Sequence, residues 1–311
     1  MNLTITRKQF LTAAGAVTLL STLKGAPAPP SGSPKILLVV AHPDDEYAFA
    51  ATIYRVAREL GGTVDQIVIT DGGGGYRYST LAEKIYGVAL APQDKGTPNL
   101  VRIRREETLA AGRILGIGNH LFLEQKDAGF TLDPDEGMKK LWDCSKVVAF
   151  ISALLRAENY QFVFTLLPTT ETHGHHQAAT VLTLQAVEQL PVENRPAVLA
   201  ADPATASQPS LAFIGNPRFP ITTVWDGAPV FEFDRRASFG YDKALNYQIV
   251  VNWMIAEHKS QGLFQTDSNK HDVERYWLFR ASGSGALEKT RSLFAALQPA
   301  NSGKAAAATA H

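Results

Sequence analysis

Two short stretches carry side chains able to hold a cation and activate water. The first, Ala41-His42-Pro43-Asp44-Asp45-Glu46, directly follows an uninterrupted aliphatic run, Lys35-Ile36-Leu37-Leu38-Val39-Val40. His42 and Asp45 stand three apart on a tight turn, so both can converge on one divalent ion. Asp44 lies between them, placed to take a proton from a cation-bound water. The same hexapeptide also reads as a helix start, with Pro43 as turn former, Asp44 as cap and His42 packed. The second stretch, Thr172-His173-Gly174-His175-His176, follows the apolar run 162–166 and opens a helix. His173 and His176 repeat the i, i+3 spacing. Four of the chain's eight histidines fall in these two motifs. Each motif stands where a strand gives way to a loop and a helix, which favours a shared site over a fortuitous polar loop. The expected centre is His42, Asp45 and His176, with a fourth position left for water. Two nitrogens and one oxygen around an open position is the donor pattern of a catalytic zinc ion (Zn2+); the same set also suits iron or manganese.

The elements around the motifs alternate. Aliphatic runs at 35–40, 66–70, 121–123 and 162–166 read as strands buried on both faces. Amphipathic patterns predict helices over 49–60, 102–115, 142–158 and 177–190. Such alternation implies a Rossmann-like, doubly wound, mostly parallel α/β sheet with helices on both faces. In such sheets ligands bind at the carboxyl ends of the strands, where both motifs sit. Beyond Pro191 the pattern shifts to short β-like pieces at 198–200 and 230–233, then a long helix over 241–259. This C-terminal third is expected to extend the sheet edge.

Composition narrows the function classes. The chain has 311 residues, 45% hydrophobic and 19% charged, enough for a sizeable core. Thirty Lys and Arg balance thirty Asp and Glu, so no basic field marks a nucleic-acid binder. Cys144 is the only cysteine, which excludes an internal disulfide and a Cys-rich zinc site.

Thr6-Arg7-Lys8-Gln9-Phe10-Leu11, a short apolar run to Leu23 and a small-residue, Pro-rich exit read as an export signal over 1–28. It resembles a twin-arginine signal with Lys in the second place, and it is too short to span a bilayer. A periplasmic or extracellular location is therefore expected, with a catalytic domain over 34–297 and a disordered tail over 298–311.

The landmarks Ala41 to Glu46, Thr70-Asp71-Gly72, Arg104-x-x-Glu107-x-x-x-Ala111-x-x-x-Leu115-Gly116 and His258-Lys259-Ser260-Gln261 resemble those of the PIG-L/LmbE-like deacetylases. In order and spacing the resemblance covers about residues 35–261. It implies a zinc-dependent enzyme that removes acetyl groups from N-acetylglucosamine units. It also implies His42, Asp45 and His176 as metal ligands, Asp44 as general base, and His173 as the group that stabilises the oxyanion and helps the amine leave. Asp71 and Arg104 would line the pocket. The family's second motif is usually His-Pro-Asp-His, whereas here His175 stands in place of the acid. Either another acid, Glu171 or Asp71, then supports His173, or His173 acts from a lower pKa.

Amide hydrolysis fits these side chains. A zinc-bound water is acidified and the carbonyl polarised; Asp44 would take the water's proton and return it to the nitrogen. The expected substrate is a small molecule or glycan with an N-acyl amino sugar. Asp71 to Arg77, rich in glycine, lacks the Walker ending and the dinucleotide spacing. It reads as a flexible rim loop whose Tyr76, Arg77 and Tyr78 can contact a sugar. His258 reads as structural, near helix-end carbonyls, and Ser79 and Ser260 lack partners for nucleophilic work. The competing readings are a carbohydrate-binding protein on the same fold without turnover and, last, a nucleotide-dependent oxidoreductase, whose Gly-rich first turn is missing.

Overall fold

In the computed structural model, which describes residues 32–91, 93–267 and 270–299, the aliphatic run Lys35–Val40 is strand β1, near the middle of a seven-stranded sheet. The side-chain period of two along a strand explains why nearly all of it is apolar. Ile36, Leu38 and Val40 enter one core and Leu37, Val39 and Ala41 the other. The remaining strands are β2 Thr63–Thr70, β3 Asn119–Gln125, β4 Phe162–Leu166, β5 Ala197–Ala204, β6 Phe231–Asp234 and β7 Val273–Leu278. Their order is β3-β2-β1-β4-β5-β7-β6. The pairings among β1 to β5 are parallel, and β7 pairs antiparallel with both β5 and β6. The mostly parallel α/β class expected from the alternation is the one observed. The expected export signal over 1–28 lies outside the described residues, as does the expected tail from residue 300 onward. Among the described residues no helix is long and apolar enough to cross a membrane.

One face is covered by a helical run that includes α1 Ala50–Tyr54, and by α2 Gln93–Leu115, α5 Tyr247–Glu257 and α6 Ala286–Leu297, with Phe49, Ile53, Leu115, Met254 and Phe294 in the shared core. The other is covered by α3 Cys144–Glu158 and α4 Gly174–Glu188, through Val147, Ile151, Leu154, Ala178 and Leu182.

Several boundaries differ from those read in the sequence. The helix expected over 49–60 starts at Asp45, as a 3-10 turn Asp45–Phe49 ahead of α1 and a π turn Arg55–Glu59 after it. The helix expected from 102 begins at Gln93 and contains Pro98. Trp142 stays outside α3 because Asp143 caps that helix, its carboxylate accepting from the Lys146 N–H. The helix expected over 177–190 begins at Gly174, which brings His175 and His176 into its first turn. The helix expected over 241–259 is split: Asp242, at φ 47°, interrupts it, and α5 starts only at Tyr247. Strand β7 and helix α6 were not expected. Glu274 and Arg275 break the apolar run of β7, yet both are buried because Arg235 pairs with Glu274 at 3.0 Å and Glu232 with Arg275 at 2.7 Å.

The chain moves outward through β1, β2 and β3, then crosses back to lay β4 against the free side of β1 and continues to β5. The order reverses between β1 and β4. At such a switch the loops leaving the two strands part in opposite directions and open a crevice. Here those loops are the His42 and His173 motifs.

Candidate metal centre

The turn after β1 is fixed before any side chain meets its partner across the crevice. The Asp45 carboxylate accepts from the backbone N–H of Ala41 at 3.0 Å and of His42 at 2.7 Å through Oδ2. Its other oxygen, Oδ1, stands 3.1 Å from His176 Nε2. His42 Nδ1 lies 3.0 Å from His176 Nε2 and 3.7 Å from Asp45 Oδ2. Donor atoms about 2.0–2.2 Å from a zinc ion stand roughly 3.3 Å apart on a tetrahedron, and the observed separations bracket that value. At a largely buried rim these atoms can share protons, the imidazole N–H groups donating to one another and to the carboxylate; with those protons gone, all three turn lone pairs toward one point, where a cation can sit. The donor set therefore fits a divalent ion, and the three residues form one group able to hold it. Burial alone would raise the Asp45 pKa, but His176 and His42 outweigh it and hold the carboxyl well below its ordinary range.

Asp44 occupies a left-handed conformation, φ 106°, which costs a non-glycine residue about 1–3 kcal/mol. Neighbours hold it there. Arg104, from α2, donates to the Gly72 carbonyl at 2.7 Å, to the Pro43 carbonyl, and to Asp44 Oδ2 at 2.9 Å. Glu46 Oε2 accepts from the Asp44 N–H at 3.1 Å, and its Oε1 meets His258 Nε2 at 2.8 Å. Glu107, one turn along α2 from Arg104, accepts from Ser260 N–H at 2.8 Å and Oγ at 2.6 Å. The late His258-to-Gln261 landmark is thus tied to the first motif by Glu46 and to α2 by Glu107, both buried carboxylates. His258 pairs with Glu46 and not with helix-end carbonyls. Burial pushes the Asp44 carboxyl up to about 6 while Arg104 pulls it down; a cation beside it would lower it again.

The Glu46–His258 pair makes a stability prediction. Both side chains are fully buried. Burial opposes charge on each, yet His258 lowers the Glu46 pKa and Glu46 raises that of His258. The depressed carboxyl stabilises the fold above its ordinary value of 4.5 and loses this as pH falls through the folded value; the raised imidazole does so below 6.5 and loses it as pH rises through its own. Glu46→Gln strands a buried imidazolium, so at a pH between those two values urea unfolding should show a loss of about 3–5 kcal/mol. A loss below about 1 kcal/mol, the size of an exposed pair, would show that the pair does not brace the turn.

The family model described as PIG-L: GlcNAc-PI de-N-acetylase matches residues 37–187, which hold both motifs. Residues 37–187 belong to the PIG-L family. No curated protein sequence matches the chain. Among solved structures it is similar to a deacetylase in complex with teicoplanin, at 17% identity over 79% of this chain and 97% of that one, TM-score 0.50. It is likewise similar to the A40926 pseudoaglycone deacetylase, at 16% identity over 81% and 99%, TM-score 0.50. The third is N,N'-diacetylchitobiose deacetylase from Pyrococcus horikoshii, at 24% identity and TM-score 0.39, where the alignment spans 58% of this chain and 61% of that one. At these identities the likeness is one of fold.

The PIG-L segment and the residues after it enclose a cavity of about 380 Å³ lined by His42, Asp44, Asp45, His173, His176 and Arg104, among others. His173 caps α4: its Nδ1 accepts from the His175 backbone N–H at 3.0 Å. That bond leaves the ring proton on Nε2, so a neutral His173 is a hydrogen-bond donor. Burial, with His42 and His176 nearby, keeps its pKa low. Its Nδ1 partner is main chain and not Glu171 or Asp71, so of the two sequence expectations the substitute acid is not met, while the lowered pKa agrees with the other. Glu171 is exposed, and Asp71 accepts from the Gly73 and Asp127 N–H groups at 2.9 and 3.2 Å.

Asp71, Tyr76 and Arg77 do not line this cavity, whereas Tyr78 does. Tyr76 packs on the small cluster of Ala82, Leu90, Leu100 and Ile103, and Arg77 is exposed beside it. The glycine segment, expected as a flexible rim loop, is a 3-10 turn, Gly73–Tyr78. A Cβ on Gly74 would lie 2.3 Å from the Gly129 nitrogen and 2.4 Å from Asp127 Oδ1, so glycine is required where these loops touch. Sequence reasoning missed Asp127, Phe130, Asp202 and Phe264, all of which line the cavity. The only signal for Asp127 was its place just past β3, at the same rim as the motifs.

Proposed function

We propose that this chain is a metal-dependent N-deacetylase acting on a substrate that contains an N-acyl amino sugar. One observation carries the reading: Asp44 and His173 line the same cavity as His42, Asp45 and His176, whose donor atoms converge. The family match supports it, and the proteins of like fold named as deacetylases agree with it. We take zinc as the ion and His42, Asp45 and His176 as its ligands. When bound, the ion supplies Lewis acidity and makes a water more acidic.

The chain's own groups supply the rest. Asp44, held by Arg104, takes the proton of the attacking water. As the water oxygen bonds to the acyl carbon, negative charge grows on the carbonyl oxygen, and His173 Nε2–H donates to it; losing one such donor costs about 2.7–4 kcal/mol in the transition state. Asp44 then returns the proton to the nitrogen, the C–N bond breaks, and a carboxylic acid and a primary amine leave, the acid giving its proton to solvent or to the amine. Tyr78, Phe130 and Phe264 give the cavity apolar walls against which a sugar face can lie. The alternative of a binding protein without turnover drew on the missing acid at position 175. Since His173 Nδ1 accepts from the backbone, the ring is poised as a neutral Nε2–H donor, a role that needs no acid at position 175.

The test is primary-amine release from N-acetylglucosamine and its oligomers by zinc-loaded protein, with Asp44→Asn as control. Release that depends on Asp44 is expected. No release from any N-acyl amino sugar by zinc-loaded protein would overturn the reading.

Export of the chain, read from residues 1–28, is likewise a proposal. Its check is cell fractionation of the full chain against a form lacking those residues.

A further inference from the structure

His42 has polar neighbours on both ring nitrogens. Nδ1 faces the metal group, and Nε2 lies 3.2 Å from His175 Nδ1. Beside that contact stands Asp127, with Oδ1 3.7 Å from His175 Nδ1 and 4.0 Å from His42 Nε2. Asp127 is itself fixed: the N–H groups of Gly74 and Gly129 donate to it at 3.0 and 2.9 Å. His175 is fully buried against Trp142, ring centroids 5.1 Å apart. Its Nε2 makes no hydrogen bond among the described residues, and the nearest carboxylate oxygen, on Glu136, is 3.9 Å away.

Proton accounting gives this stack a direction. An imidazole that offers Nδ1 to a cation must carry its proton on Nε2. In His42 that N–H meets a lone pair only if His175 Nδ1 is bare, which places the His175 proton on Nε2, on the side of Glu136. Metal-ligating histidines commonly give their second N–H to a carboxylate, a carbonyl or water. Here the acceptor is a neutral imidazole, and the Asp127 carboxylate lies beside the contact, where its charge favours a proton held between the two rings while the cation at Nδ1 assigns that proton to His42. His175 occupies the position where the related motif has an acid.

We propose that His175 and Asp127 are positioning residues that hold His42 in the tautomer presenting Nδ1 to the cation. The inference rests on the metal centre proposed above. His175 thereby acts on the first motif through its side chain and on His173 through its backbone.

The experiment uses the full chain and its His175→Leu, His175→Gln and Asp127→Asn variants. Zinc affinity is measured by chelator competition, and the His42 tautomer in metal-free protein by nitrogen-15 NMR. His175→Leu should weaken zinc binding by roughly 10–100-fold and abolish the preference for the Nε2–H form. His175→Gln, which restores an acceptor, should recover part of both; Asp127→Asn should weaken both less than Leu does. A merely structural role would leave the tautomer unmoved. Unchanged affinity and tautomer in variants that bind zinc would overturn this inference alone. A wild-type chain that binds no zinc would overturn the metal centre, and this inference with it. Two zinc ions per wild-type chain, one of them lost in His175→Leu, would overturn it in favour of a second cation seat among His42, His173 and His175.

Discussion

His176→Ala should lose bound zinc and amine release together. Of the three proposed ligands His176 alone comes from the far side of the crevice, so removing it leaves that group with two donors, His42 and Asp45, on a single turn. Its Nε2 makes the closest approaches in the group, 3.0 Å to His42 and 3.1 Å to Asp45. Two donors from a single turn do not enclose a tetrahedral ion. Metal activation supplies several kcal/mol of transition-state stabilisation, so turnover should fall by at least about 1000-fold. Elemental analysis after dialysis, alongside the amine assay, checks both losses. The fold should survive, because α4 keeps its buried face of Ala178 and Leu182 and its His173 cap.

Asp44→Asn should separate what His176→Ala joins. Asparagine keeps an acceptor for Arg104 and tolerates positive φ better than most residues, so the turn and the ligands on either side of Asp44 stay in place. Only the basicity is lost. Zinc content should match wild type while turnover falls by about 10²–10⁴-fold, the usual worth of a positioned base. Alanine at the same site would confound this, because the turn is strained and one of its anchors is the Asp44–Arg104 bond. Equal zinc content in the wild type and both variants would contradict the division between ligands and base.

The elements that position the site were largely legible because burial on both faces imposes its own composition. In β1 and β4 nearly every side chain enters a core, so the strands read as unbroken apolar runs and their ends could be placed. The motifs at those ends needed only the rule that ligands bind at the carboxyl ends of the strands. What stayed hidden depends on partners distant in sequence. Asp127 looks like an ordinary loop residue until the crossover to β4 brings His175 against it. Glu274 and Arg275 look too polar for a buried strand until Arg235 and Glu232 neutralise them. Tyr76 and Tyr78 cannot be told apart by type; the 3-10 turn of the glycine segment sends one to a small core and the other to the cavity. Position 175 read as a departure from a pattern, and only the backbone path of the helix start shows its main chain serving His173 while its side chain faces His42.

Anomalous diffraction at the zinc edge, from crystals of zinc-loaded protein, locates the ion. The expected result is one strong peak within about 2.0–2.2 Å of His42 Nδ1, His176 Nε2 and an Asp45 oxygen. No peak there, or one on other side chains with these three unligated, would contradict the shared centre on which the proposed chemistry depends.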